Sequence, residues 1–413
     1  MTSNNIYNHS SFNNIILALL CLMVGTLGRQ ITGSEYVLMG FGAFCWYFLI
    51  KGLSGLPLKS HANYFPSSYR TLLSIYFFIV LVMIARGYMI DYRYQWQGSM
   101  SLIKFHFLDQ TYILPYLMPL VIFIPYRYYN FRVLVKWSTF LAVISVILFA
   151  IYFQQIMQSA LYEQMGIEND NLMSMSKIAI YGKFAFVAMC FPYLSKKEWR
   201  WNILGLMVIL VGVMIAARRG SSLSYVLIFV FTLYTYFSQA GKSKITMYII
   251  FAVCVAFVVS SSLFSYLLER GLVDTRSYVE ESFKSQMSQI DMWIGKGLNG
   301  RYYCPLRDDD YLDGWRYGIE TGFYNIVLKG GYLMAYTYII LLLIPAYKGL
   351  FKSNNKLCRA GGFYVALSIF ELIPFGWLTF DIKFLVIWVM VVLCMNPDVR
   401  AMNDNEIKSF FFR

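Results

Sequence analysis

The chain alternates long apolar blocks with short polar ones, a spacing that fits a membrane better than a soluble core. A helix rises 1.5 Å per residue, so about 20 mostly apolar residues cross a hydrocarbon layer roughly 30 Å thick. By this measure the pattern predicts an all-α polytopic membrane protein with about twelve transmembrane helices. They fall over 13–28, 36–52, 71–89, 111–126, 133–156, 178–194, 202–218, 221–238, 245–267, 320–347, 359–375 and 382–396. A long polar stretch, 268–320, separates the ninth from the tenth. No internal repeat or low-complexity linker divides the sequence, so a single transmembrane domain over 1–413 is expected, with that loop inside it. The first apolar run, Ile15 to Leu27, has no basic segment ahead of it and no small-residue cleavage site behind it. It reads as a retained helix rather than a signal peptide.

Charge orients the helices. One alternating set of loops (51–70, 127–136, 195–201, 239–244 and 348–359) carries fifteen lysines and arginines against one acid, Glu198. The other set includes 157–177, where Glu163, Glu168 and Asp170 outnumber Lys177, and the long loop, with ten acids against seven bases. Basic loops stay on the cytoplasmic side, so both termini are expected in the cytoplasm and 268–320 outside. Composition agrees, since 14% of residues are charged and 58% hydrophobic, whereas soluble domains carry about 25% charged residues. The net charge of +13 is then used for orientation. No basic, aromatic-interleaved soluble segment is present, so nucleic acid is not expected as a partner.

One pair of charges breaks this pattern. Residues 203–237 number 35 and would extend about 52 Å as one helix, too long for a single span. They are expected to form a tight hairpin whose turn, "RRGSS", falls on the outer side. Arg218 and Arg219 there oppose the positive-inside rule, and an arginine at mid-membrane costs about 2.5–3.5 kcal/mol on insertion scales. Two readings stand: arginines snorkelling at a helix end, or an anion-binding site.

In the outer loop, Val279, Phe283, Met287, Ile290 and Ile294 recur at three- and four-residue spacing, with Trp293 beside the last. This predicts an amphipathic helix lying on the bundle or the membrane surface. Ser277 with Glu280 reads as its capping box. Arg276 then precedes a helix N-terminus, where a cation opposes the helix dipole. Free N–H groups beside a guanidinium favour phosphate; an ordinary solvated arginine is the alternative. "GKGLNG", Gly295 to Gly300, matches GxGxxG but follows a helix and has no βαβ unit. Its expected work is to stop the helix and turn the chain.

In Arg307 to Asp313 the acids are adjacent rather than alternate, unlike the ligands of a calcium loop. No metal or cofactor is expected. Seven cysteines show no CxxC pair, and three scattered histidines suggest no nucleophilic triad. Glu320 falls at the outer end of the tenth helix, with Asn325 just over one turn inside. Such a carboxylate serves as general base if it sits against an apolar wall. Otherwise it is a helix-start glutamate stabilised by the dipole.

Three segments in order, "AARRGSSLSYVLI", "DTRSYVEESFKSQMSQIDMWIGKGLNG" and "IETGFYNIVLKGGYL", resemble the bacterial O-antigen and capsule polymerase (Wzy-type) and O-antigen ligase superfamily. The resemblance covers roughly residues 205–345; earlier residues resemble it only in hydropathy. It implies a GT-C-like, metal-independent, inverting glycosyltransferase of the bacterial inner membrane, with its active site on the periplasmic side. Donor and acceptor would be undecaprenyl-pyrophosphate-linked oligosaccharides, and membrane lipids and a chain-length regulator protein are further partners it implies. On this reading Arg219 and Arg276 hold the donor pyrophosphate, helped by Arg218 and Arg270. Glu320 is the base, and Tyr324 and Asn325 line the acceptor path. The ligase branch usually has a histidine where this chain has Glu320, which points to the polymerase. A ligase and a transporter of lipid-linked sugars remain the alternatives. A transporter is expected to carry repeats and broken helices in matching positions, which the sequence does not display.

Overall fold

The computed structural model describes residues 10–56, 65–89, 107–164, 179–215, 219–239, 277–305, 314–373 and 376–413. These residues are mostly helical. Helices α1 (Ser10–Thr32), α2 (Glu35–Ser54) and α3 (Ser67–Met89) follow the first three predicted spans. The fourth, expected over 111–126, is instead a short helix, α4 (Leu114–Leu117), running into 3-10 turns at Met118–Phe123 and Tyr126–Tyr128. Pro115, Pro119 and Pro125 each lack a backbone donor, so this apolar run cannot keep one continuous ladder.

After α5 (Phe131–Gln164), the expected helix 178–194 breaks in the same way. It becomes the 3-10 turns Ala179–Phe184 and Phe191–Tyr193 around α6 (Phe186–Met189), with Pro192 in the second turn. Helices α7 (Lys196–Ile215) and α8 (Arg219–Gln239) pack on one another as the expected hairpin. The predicted span 245–267 lies outside the described residues. In the outer segment, α9 (Ser277–Ser285) and α10 (Gln289–Ile294) precede a small antiparallel ribbon, β1 (Tyr302–Tyr303) with β2 (Trp315–Arg316). Then come α11 (Gly322–Phe351), α12 (Lys356–Glu371) and α13 (Ile382–Met395). Two helices the apolar pattern does not announce, α14 (Pro397–Ala401) and α15 (Asp404–Phe411), end the chain.

Six described helices, α1, α2, α3, α5, α7 and α11, are long and apolar enough to cross a membrane. Large apolar side chains on them stand open to their surroundings: Phe78, Leu81, Ile151 and Leu343 are each more than half exposed. In water that would be costly; against lipid it is the favourable arrangement. At the centre stands α13, in which every residue except Lys383 is buried. A helix apolar on all sides belongs inside a bundle, and α11 and α12 pack against it. Helices α1 and α2 approach closely at glycine. A Cβ on Gly25 would lie 2.7 Å from the Phe41 Cβ, and one on Gly28 2.7 Å from the Val37 Cγ1. Small residues at such contacts let helices meet where lipid provides no hydrophobic drive.

Helix α11 is broken at Gly331, whose φ of 72° and ψ of −178° only glycine adopts readily. The carbonyls freed by the break are satisfied from outside the helix. Lys296 N–H donates to Leu328 O at 2.8 Å, and Gly297 N–H donates to Lys329 O at 3.0 Å. These donors belong to "GKGLNG". The same turn reaches α3, where Leu298 N–H donates to Met83 O at 3.0 Å and the Asn299 amide donates to Gly87 O at 2.8 Å. Gly295 ends α10 with φ 73°, so the turn does stop a helix as expected. It also stitches α3 to the break in α11.

One expectation for the loop needs correction. The single amphipathic helix is two helices, because Ser288 and Asp291 form a capping box that starts a new one. Val279 and Phe283 are buried as the stripe requires, but the restart turns Ile290 and Trp293 outward, at 66% and 55% exposed. Glu280, the expected capping glutamate, also makes contacts beyond its own first turn. It accepts the Thr321 hydroxyl at 3.0 Å on one oxygen and faces Lys284 at 3.4 Å on the other.

Candidate functional site

At one end of the bundle the helices leave a cavity of about 430 Å³. Its wall is built from the end of α1, the turn around Gly182, the last residues of α7, the first turns of α8, the end of α12 and the start of α13. Much of it is apolar, including Met23, Val213 and Ile228. Set into that wall are charges that an apolar bundle would otherwise exclude.

Lys183 and Asp381 form one pair, with the ammonium 2.5 Å from Asp381 Oδ2. Asp381 is fully buried and every oxygen is used. Oδ2 also accepts the Thr379 hydroxyl at 2.7 Å, and Oδ1 accepts the Phe384 N–H at 3.1 Å, which caps α13. Burial alone would raise its carboxyl, but the Lys183 ammonium, the Thr379 hydroxyl and the Phe384 N–H outweigh it and hold Asp381 below the usual carboxylate range. The second pair is Lys383 with Glu371, 2.6 Å from nitrogen to Oε2. Glu371 is the last residue of α12 and Lys383 the second of α13. Each charge therefore sits at the end of its helix that the dipole disfavours. Helix energetics does not account for either residue.

The sequence-predicted residues distribute around this cavity. Arg219 is the first residue of α8, and Ser221, two positions on, lines the cavity. Arg218, Arg270 and Arg276 lie outside the described residues. Glu320 is exposed, just ahead of Thr321 at the N-cap position of α11. It therefore lacks the apolar wall that a general base there was expected to have. Tyr324 lies in the first turn of α11 beneath Lys284, whose nitrogen is 4.7 Å from the ring centroid. Hydrogen bonding to Tyr324, then the charge of Glu280, holds the Lys284 ammonium above the usual lysine range. The Oδ1 of Asn325 is buried beside Gly318 and has no hydrogen-bond partner among the described residues.

The start of α11 abuts the cavity through one short segment. Trp377, on the cavity wall, donates its indole N–H to Ile319 O at 2.6 Å. Gly322 sits so close to Gly376 that a Cβ there would collide with the Gly376 carbonyl. Phe323 N–H donates to Leu372 O at 2.9 Å. Arg219 thus adjoins the cavity through Ser221, and the Glu320–Asn325 segment adjoins it through Gly376 and Trp377.

Motif reading passed over Lys183, Glu371, Asp381 and Lys383. Their signal was present as isolated charges in or beside the apolar runs 178–194, 359–375 and 382–396, and intramembrane ionisable residues are functional candidates by default.

No protein-family model, curated protein or solved structure matches this chain at a significant level. The helices and their open apolar faces define an all-α polytopic membrane protein.

Proposed function

We propose that this protein is a membrane-embedded polysaccharide polymerase, transferring glycan from undecaprenyl pyrophosphate to the end of another lipid-linked unit. The observation that carries the reading is the cavity beside the first turn of α8, where Arg219 opens the helix and apolar walls surround a few fixed charges. Twelve spans, a periplasmic loop over 268–320 and both termini in the cytoplasm of a bacterial inner membrane complete the topology. The elements that line the cavity contribute the ends that the loop charges assign to the outer face, which supports that topology.

The chemistry follows from the leaving group. As the sugar–pyrophosphate bond breaks, negative charge grows on the phosphate oxygens. Guanidinium groups pair with those oxygens bidentately and stay charged. Arg219 and Arg276 take this role, with Arg218 and Arg270 beside them, and no metal or cofactor is required. The acceptor hydroxyl must lose a proton as it attacks, and Glu320 is the carboxylate that the sequence motif offers. Tyr324 and Asn325 flank the acceptor path; the unpartnered Oδ1 of Asn325 is suited to accept a sugar hydroxyl.

The test is chain length in cells whose own copy is deleted and replaced by variants. Arg219→Ala and Arg276→Ala should each abolish long chains and leave single lipid-linked units outside the membrane. Normal ladders from both variants would overturn the proposal. The break in α11 at Gly331 is a feature that transporters share. Accumulation of unpolymerised units on the cytoplasmic side after deletion would therefore favour a transporter. Transfer onto lipid A core by the purified protein would favour the ligase.

A further inference from the structure

The proposed transfer needs one carboxylate to accept the acceptor's proton, and among the described residues Asp381, Glu320 and Glu371 are compared for it. Asp381 is unsuitable, because it is fully buried and its two oxygens are taken up by Lys183, Thr379 and the Phe384 N–H. Glu320 is exposed and outside the cavity wall. Glu371 differs from both. It lines the cavity and its side chain is 13% exposed. Lys383 holds it through Oε2 at 2.6 Å, while Oε1 has no hydrogen-bond partner among the described residues. Tyr225, Tyr364 and Lys183 line the same cavity.

From this geometry, and resting on the polymerase reading, we propose that Glu371 is the general base of glycosyl transfer. Lys383 fixes one oxygen at 2.6 Å, which leaves the other to meet the acceptor. The acceptor oxygen bonds to the anomeric carbon of the donor sugar, and its proton passes to Glu371 Oε1. The bond from that carbon to the pyrophosphate oxygen breaks on the opposite face, and its electron pair leaves with the lipid pyrophosphate. One glycosidic bond forms, one glycosyl-phosphate bond breaks, and the configuration inverts. The placement also accounts for a carboxylate at the C-terminal end of α12, where the helix dipole disfavours it.

The experiment uses the full-length protein in proteoliposomes, with undecaprenyl-pyrophosphate-linked oligosaccharide from the source cells as both donor and acceptor. General-base loss costs about 10²–10⁴-fold. Glu371→Gln should therefore lower kcat at least about 100-fold with KM within about threefold of wild type. The acidic limb of the kcat–pH profile should vanish in its residual activity. If Glu371→Gln loses its monodisperse peak in detergent, Glu371→Asp is read instead. That variant retracts the oxygen by one carbon, and a lowered kcat at unchanged KM supports the assignment. An active wild type with near-wild-type kcat in the folded Glu371 variant overturns this proposal alone. A wild type that makes no polymer overturns the polymerase reading and this proposal with it.

Discussion

Replacing Asp381 with alanine removes three interactions at once, and each has a size. Its Oδ1 caps α13 through the Phe384 N–H; losing an N-cap costs about 1 kcal/mol. Its Oδ2 accepts the Thr379 hydroxyl at 2.7 Å, worth about 1 kcal/mol. The same oxygen pairs with Lys183, whose side chain is 37% exposed, so solvent screening reduces that pair to about 1 kcal/mol. The alanine variant should lose about 3 kcal/mol by this reckoning. Asparagine keeps an acceptor for Phe384 and a partner for Thr379, and should lose only about 1 kcal/mol. Lys183→Met should be worse than Asp381→Asn, because it strands a carboxylate with no exposure at all. The double variant should recover part of that loss. The assay is unfolding in mixed micelles followed by a thiol-reactive fluorophore, since Cys45, Cys190, Cys304, Cys358 and Cys394 are buried and free. Acid offers a second reading of the same group. Asp381 is held below its ordinary range. Its contribution is therefore complete above the unfolded value of about 3.9 and is lost as pH falls through the lower folded value. The gap between wild type and Asp381→Asn should close over that window. An alanine variant within 0.5 kcal/mol of wild type, or an asparagine variant as damaged as the alanine one, would refute the reasoning (both on the scale of about 1 kcal/mol per contact).

Two further outcomes test how the outer segment is held. Gly331→Ala places a Cβ against the Trp293 carbonyl at a backbone conformation that only glycine adopts readily. It should destabilise by about 3 kcal/mol or force α10 off α11, read as new protease cleavage between α10 and α11. Arg86 pairs with Asp291 at 2.8 Å with both side chains mostly covered. Arg86→Ala should cost about 1 kcal/mol in thermal denaturation, with a loss that shrinks in high salt.

The helices were legible wherever apolar length and an unbroken backbone ladder coincide, as in α1, α3, α5 and α7. They were not legible where the two part company. The runs 111–126 and 178–194 are as apolar as a span, but hydropathy counts side chains and is blind to the donors that Pro115, Pro119, Pro125 and Pro192 lack. The charged pairs show a different limit. Lys183 and Asp381 meet across 198 residues, and Glu371 and Lys383 meet across the turn between two helices, so no local spacing announces either pair. Only their presence in apolar surroundings does. The glycines are the most instructive case. "GKGLNG" is a weak motif, and "LKGGYL" inside a predicted helix is a weak irregularity. In the fold each explains the other, since the break at Gly331 frees two carbonyls and the turn at Gly295 to Gly297 supplies two N–H groups for them. That exchange separates a short outer piece of α11, Gly322 to Gly330, from the long inner one. The outer piece carries Tyr324 and Asn325 and rests on Gly376 beside the cavity. Two ordinary glycine clusters thus position the segment that rests on the cavity-lining Gly376.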